Sequence, residues 1–227
     1  MDTSKPPATD DPEKILRDKI LEDLKKEYKK ILINNLDERE YKDDKIKTWV
    51  NNILIEAKNY FIKKYDGYDI FLFCLVSEKG VNFRQITNSV GINNSDSAYF
   101  VDFETNTLYV VLNFFFFKHY TLDYSLEEIE CDIIRKGNEI LSKYLEDRKY
   151  VLEKITNYNS VINNEHINYI LEKVNKLRCF TLNRIFQNPI KRYYYNYLIH
   201  GKEIYSKIFQ TYSNDSLTCC HEVFFFK

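Results

Sequence analysis

Apolar residues first recur near every fourth position. Leu16, Ile20, Leu24, Tyr28 and Ile31 are separated by Lys, Glu and Asp, a spacing that predicts a helix from about Pro12. The charged stretch "NNLDEREY" (34–41) interrupts it. A second helix follows, with Asp43 or Asp44 placed to cap its free amides. Ile46, Trp49, Val50, Ile53, Ala57, Tyr60 and Phe61 give it one continuous apolar face, on which Trp49 is read as a core anchor. Gly67 lies just past its end, where a residue able to take positive φ is favoured.

The period then changes to 2. "YDIFLFCLVSEK" (68–79), "VNFRQITNSV" (81–90), "SAYFVDFET" (97–105) and "LYVVLNFFFF" (108–117) read as four strands joined by tight turns. The expected fold class is α+β, with two N-terminal helices packed on a four-stranded antiparallel sheet. In the last strand Leu112, Phe114 and Phe116 face one way, and Val111, Phe115 and Phe117 the other, with Asn113 the polar exception. A strand apolar on both faces needs two covers. The helix bearing Trp49 provides one. A second subunit or the C-terminal helices would provide the other.

Beyond Tyr120 the pattern predicts an all-helical extension (121–212). Ser125 and Glu128 match a capping box, and Leu126, Ile129, Ile133, Ile140, Tyr144, Val151 and Ile155 suggest one long amphipathic helix. "NYNSVINN" (157–164) reads as a break. A helix carrying Ile167 to Leu177 and a last one carrying Tyr193 to Phe209 would follow, then an irregular tail (213–227). Residues 1–12 read as a disordered tail, residues 13–120 as the main domain, and no internal repeat is visible.

Composition narrows the function classes. The chain has 227 residues, with 33 Lys+Arg against 34 Asp+Glu, so it has no global attraction for nucleic acid or anionic membrane. Its longest apolar run, Leu108–Phe117, is too short to span a bilayer as a helix, so no membrane insertion is expected. Five cysteines without a C-x-x-C pair argue against a disulfide framework or zinc site and for a reduced, cytosolic setting. Four scattered histidines and five isolated glycines supply no metal, phosphate-loop or nucleophile-elbow motif. No catalytic residue, cofactor or metal is assigned. Cys219–Cys220–His221 reads as a flexible tail rather than a soft-metal triplet. "KRYYYNY" (191–197) resembles a base-stacking surface but also fits helical packing.

Three segments, in order, carry a family resemblance. Tyr41, Lys45–Ile46 and Trp49, followed by Asn51–Asn52–Ile53, resemble the second helix of Tctex-type dynein light chains. "YDIFLFCLVSEKG", with Cys74 and Glu78–Lys79, is similar to the family's first strand. Phe103–Glu104, Thr107 and Leu108–Tyr109 resemble its last hairpin. The sequence departs from the family after its second strand, where "VGINNSD" stands for an aromatic-Trp-Asp group. The resemblance implies a non-enzymatic dimeric adaptor, homo- or heterodimeric with another light chain, in which strands are exchanged and sheets pack face to face. It implies binding of an extended segment of the dynein intermediate chain, or of cargo, by strand addition. By that analogy the peptide edge is the third strand, with Tyr99, Val101 and Phe103. Phe83 and Ile86 take part in strand exchange, and Phe115 and Phe117 in the dimer contact. The setting would be cytoplasmic or axonemal, on the cytoskeleton. Two other readings are a Tctex-domain scaffold outside the motor acting through its helical extension, and a small enzyme, which would need a polar pocket that the sequence does not show.

Overall fold

The computed structural model describes residues 11–90, 96–118, 129–174, 178–189, 192–201 and 204–226. Helix α1 (Pro12–Leu36) starts as expected, with the Asp11 carboxylate accepting the Glu13 amide at 3.0 Å. Helix α2 (Asp43–Lys64) has no side-chain cap; Asp43 and Asp44 sit instead in its first turn, where their charge complements the helix dipole. Trp49 is buried in the core cluster beneath, with the Arg39 guanidinium 5.0 Å from its ring centroid. Strands β1 (Tyr68–Glu78), β2 (Phe83–Val90), β3 (Ser97–Glu104) and β4 (Leu108–Lys118) follow where the period-2 pattern places them.

The second half overturns the expected all-helical extension. It contains α3 (Glu130–Leu145), α4 (Leu152–Lys173), β5 (Arg178–Gln187), β6 (Tyr193–His200), β7 (Ile204–Ser213) and β8 (Leu217–Phe226). The long helix expected through Ile155 stops at Leu145, and the expected break at 157–164 lies inside α4. The expected last helix is β6 and part of β7, and the expected irregular tail is β8, buried along nearly its whole length. The pattern misleads because polar groups are buried here. Asn159 and Asn163 are fully buried on α4, and Asn159 Nδ2 donates to the Arg84 carbonyl at 3.0 Å. Residues 1–10 and the expected capping pair Ser125 and Glu128 lie outside the described residues.

The two halves repeat one another, contrary to the expectation of no repeat. Helices α2 and α4 both have 22 residues and begin 109 positions apart, at Asp43 and Leu152. Glu38 (φ 59°) and Asp147 (φ 57°) hold the same left-handed position before them. Arg39 over Trp49 is matched by Arg148 over Tyr158, at 5.0 and 5.6 Å. Asp23, which accepts from Tyr60 and pairs with Lys64, is matched by Asp132 with Tyr169 and Lys173.

Among the described residues the strands form two antiparallel sheets, ordered β3-β4-β1-β6 and β2-β5-β8-β7. Each half therefore gives one strand away. β2 leaves its own sheet to pair with β5, with Phe83 opposite Phe186 and Ile86 opposite Asn183. β6 crosses the other way to pair with β1, with Leu75 opposite Tyr195. The expected sheet of four first-half strands is thus corrected: its fourth strand is β6.

The sheets stack face to face between two helical layers. Leu112, Phe114 and Phe116 face α1 and α2 in one core cluster. Phe115 and Phe117 face the second sheet, with ring centroids 6.2 Å from Phe180 (for Phe115) and 5.2 Å from Phe226 (for Phe117). Both faces of β4 are covered, but the second cover is a sheet of the same chain, neither a second subunit nor the expected C-terminal helices.

Candidate functional site

Strands β3 and β2 each lie at an outer edge of their sheet, on the same flank of the sandwich. The β3–β4 turn fixes which backbone groups are free. Thr105 N donates to Leu108 O at 3.0 Å, so by antiparallel alternation Phe103 and Val101 bond to β4, while Phe100, Asp102 and Glu104 turn their amides and carbonyls outward. The side chains of those outward residues line an open cavity of about 540 Å³ between β2 and β3, floored by Tyr109 and Val111 and bounded across the gap by Gln85 and Thr87. Gln85 Nε2 donates to Asn113 Oδ1 at 3.0 Å across the base.

The groove is charged along its length. Lys79 Nζ lies 3.7 Å from Glu104 at one end. Burial, then the carboxylates of Asp102 and Glu104, raise the Tyr109 hydroxyl above the ordinary tyrosine range. Lys29 donates to the Asp102 carbonyl on the free edge and lies 5.6 Å from the Phe103 ring centroid. A cation on an exposed edge is a common protection against unspecific strand pairing.

The residues expected on the peptide edge face α1 rather than the groove. Val101 is in the helix-side core, Phe103 packs against it, and Tyr99 is 40% exposed beneath Lys25, whose Nζ is 4.0 Å from its ring centroid. The groove-facing residues Phe100, Asp102 and Glu104 were missed. Strand alternation makes them the set opposite to the expected one, and Phe100 is 45% exposed although aromatic. Phe83 and Ile86 lie on the exchanged strand, and Phe115 and Phe117 in the inter-sheet core. Residues 91–95, within the departure from the family pattern, lie outside the described residues.

Cys219, Cys220 and His221 lie on β8 rather than in a tail, and alternate between its faces: Cys220 joins the inter-sheet core, Cys219 the helix side. Among the described residues no three His, Cys, Asp or Glu side chains gather to hold a metal ion. None of the described helices is long and apolar enough to cross a membrane. The "YYYNY" stretch is β6, and Tyr193, Tyr195 and Tyr197 pack against the inter-sheet core.

A helix pair and antiparallel sheet completed by a strand from a second such unit, with an outer edge beside an open groove, defines a strand-exchanging α+β fold. Residues 20–117 match the Tctex-1 family. That family is a non-catalytic dynein light chain family. No curated protein matches the chain.

Proposed function

We propose that this protein is a non-catalytic dynein light chain-type adaptor. It binds an extended segment of a dynein intermediate chain, or of cargo, by strand addition to β3, and acts in microtubule-based transport in the cytoplasm. The observation that carries the reading is the outer edge of β3, whose outward backbone at Phe100 borders an open groove, with the Asp102 carbonyl beside it held by the Lys29 side chain. Backbone hydrogen bonds along such an edge provide affinity, and side-chain pockets provide selectivity. The family match over residues 20–117 gives the motor as context. The face that such a light chain would bury in a dimer is covered here by β5 and β8 of the same chain, so one chain does the work of two.

The test is affinity purification with the full chain and with Phe100→Pro. Proline at this position removes an edge-facing amide without touching the ladder to β4. The expected result is an intermediate chain among the bound proteins, lost with the variant. Equal capture by a folded Phe100→Pro protein would sink the strand-addition reading.

A further inference from the structure

The pseudo-symmetry gives the sandwich a second flank, between β6 and β7, equivalent in backbone but not in side chains. Register fixes the correspondence. Tyr195 stands opposite Leu75 where Gln85 stands opposite Arg184, and Tyr197 opposite Phe73 where Thr87 stands opposite Leu182. Lys207 stands opposite Phe224 where Ala98 stands opposite Phe115. Glu222 holds the place of Asn113, each opposite the edge phenylalanine, Phe209 or Phe100. The small and polar groups that leave the first groove open are thus replaced by large ones.

Those large groups fill the second flank. Tyr195 stacks on Phe73 at 5.3 Å between centroids, and Tyr193 on Phe186 at 4.8 Å. Lys207 reaches across from β7, with Nζ 2.9 Å from Glu222, 4.9 Å from the Tyr197 ring centroid and 5.0 Å from that of Phe224. Arg184 closes the cluster from beneath, bonded to Glu222 and 4.3 Å from the Tyr195 ring centroid. Glu222 and Arg184 are both fully buried and pair with one another there. Phe209 remains exposed at the rim, but what lies beneath it is packed.

We infer that the molecule is monovalent: it takes one extended polypeptide segment per chain, at the β2/β3 groove, while the β6/β7 flank is closed. The inference rests on the strand-addition reading of β3. The groove also indicates the segment's chemistry. At the Glu104 end it opens onto a hollow where the four exposed carboxylates of Asp37, Glu38, Glu40 and Glu104 outnumber the two cations, Arg39 and Lys79. The fitting partner is therefore an extended segment carrying a basic residue at the end beside Glu104.

The probe is a set of linear peptides selected by display against the full chain and measured by titration calorimetry, with a photo-crosslinker in the peptide. The expected result is one peptide per chain, a basic residue enriched toward one end, and crosslinks confined to β2 and β3. Two peptides per chain, or crosslinks on β6 or β7, would overturn monovalency and leave strand addition standing. Failure to enrich any peptide, or binding unchanged by Phe100→Pro, would overturn both. Reciprocal grafts provide a second reading. Thr87→Tyr with Ala98→Lys should weaken the peptide by more than about tenfold. Tyr195→Gln, Tyr197→Thr and Lys207→Ala together should admit a second peptide. A folded closing graft that binds as tightly as the parent would overturn the inference.

Discussion

Nδ1 of His166 lies 2.7 Å from Nε2 of His221 in the buried interior of the second half. The other His166 nitrogen, Nε2, is 3.1 Å from the Ile133 carbonyl, which only accepts, so Nε2 carries the proton. Nδ1 then accepts from His221 Nε2–H. Burial lowers the affinity of both rings for a further proton, and His221 is held well below the ordinary range by burial and by His166. Both rings are neutral in the folded chain and protonated in the unfolded chain below about pH 6.5. The unfolded state then binds more protons, so stability falls as pH drops below that point, by up to ~1.4 kcal/mol per pH unit for each ring. Thermal melting should shift downward between pH 7 and pH 5. Replacing the pair with the residues at the matching first-half positions, His166→Ala with His221→Leu, should flatten that dependence. An unchanged pH slope in the double variant would remove the pair as its cause.

The exchange of β2 and β6 has a consequence for the isolated first half. Residues 11–118 alone would expose Phe71, Phe73, Phe115 and Phe117, all fully buried in the intact chain. At ~1.5–3 kcal/mol for each buried side chain, their exposure costs roughly 6–12 kcal/mol, comparable with the whole net stability of a domain, ~5–15 kcal/mol. The fragment should therefore pair with a second copy, with β2 of one completing the sheet of the other. The full chain, with its own second sheet, should run as a monomer of 27.4 kDa. Light scattering checks both; a folded monomeric fragment would contradict the energetic argument.

Asp96 and Arg178 tie the halves at another point. Arg178 Nε donates to Asp96 Oδ2 at 3.0 Å, and both side chains are 1% exposed. Asp96 Oδ1 also accepts the Lys118 amide at 3.3 Å. Removing one partner of a buried ion pair typically costs ~3–5 kcal/mol. Asp96→Asn should therefore lower the denaturation midpoint strongly, and Arg178→Met added to it should recover much of the loss. A near-neutral Asp96→Asn would show that solvent reaches the guanidinium.

The first half was legible because its local signals agree with its tertiary environment. The apolar positions of α2, β1 and β4 are buried, and period alone separates helix from strand. The second half was hidden because its buried positions changed chemistry while its backbone did not. At a shift of 109, Val50, Leu54, Ala57 and Leu112 become Asn159, Asn163, His166 and His221, all buried. The polar run in α4 therefore read as a break, and Cys-Cys-His-Glu in β8 as a tail. The candidate groove was half legible. Strand β3 was placed from its alternation, but only the turn register shows which of its residues turn their backbone to the open edge.

Gly137 on α3 stands where the first half has Tyr28, and the difference can be measured. Tyr28 donates to the Ala57 carbonyl at 3.3 Å and meets the edge of Phe114 at 5.1 Å. Gly137 instead makes room for Gln210, which holds the position of Val101 on the edge strand. Gln210 Nε2 donates to Ile134 O at 2.6 Å and to Asn138 Oδ1 at 2.7 Å. In an ordinary helix Gly→Ala would stabilise by roughly 0.5–1 kcal/mol. Here the new Cβ would fall 2.0 Å from Gln210 Oε1. Gln210 is 4% exposed, and moving its amide away from the new Cβ pulls it off its two hydrogen bonds. Displacing it strands a buried amide, at ~1–3 kcal/mol, which exceeds the helix gain. Gly137→Ala should therefore destabilise, against its usual sign. Gln210→Val, copying Val101, should remove the conflict and let the alanine act with its ordinary sign. The double-mutant cycle, read by chemical denaturation, should show a favourable coupling; simple additivity would mean that Gln210 does not constrain Gly137.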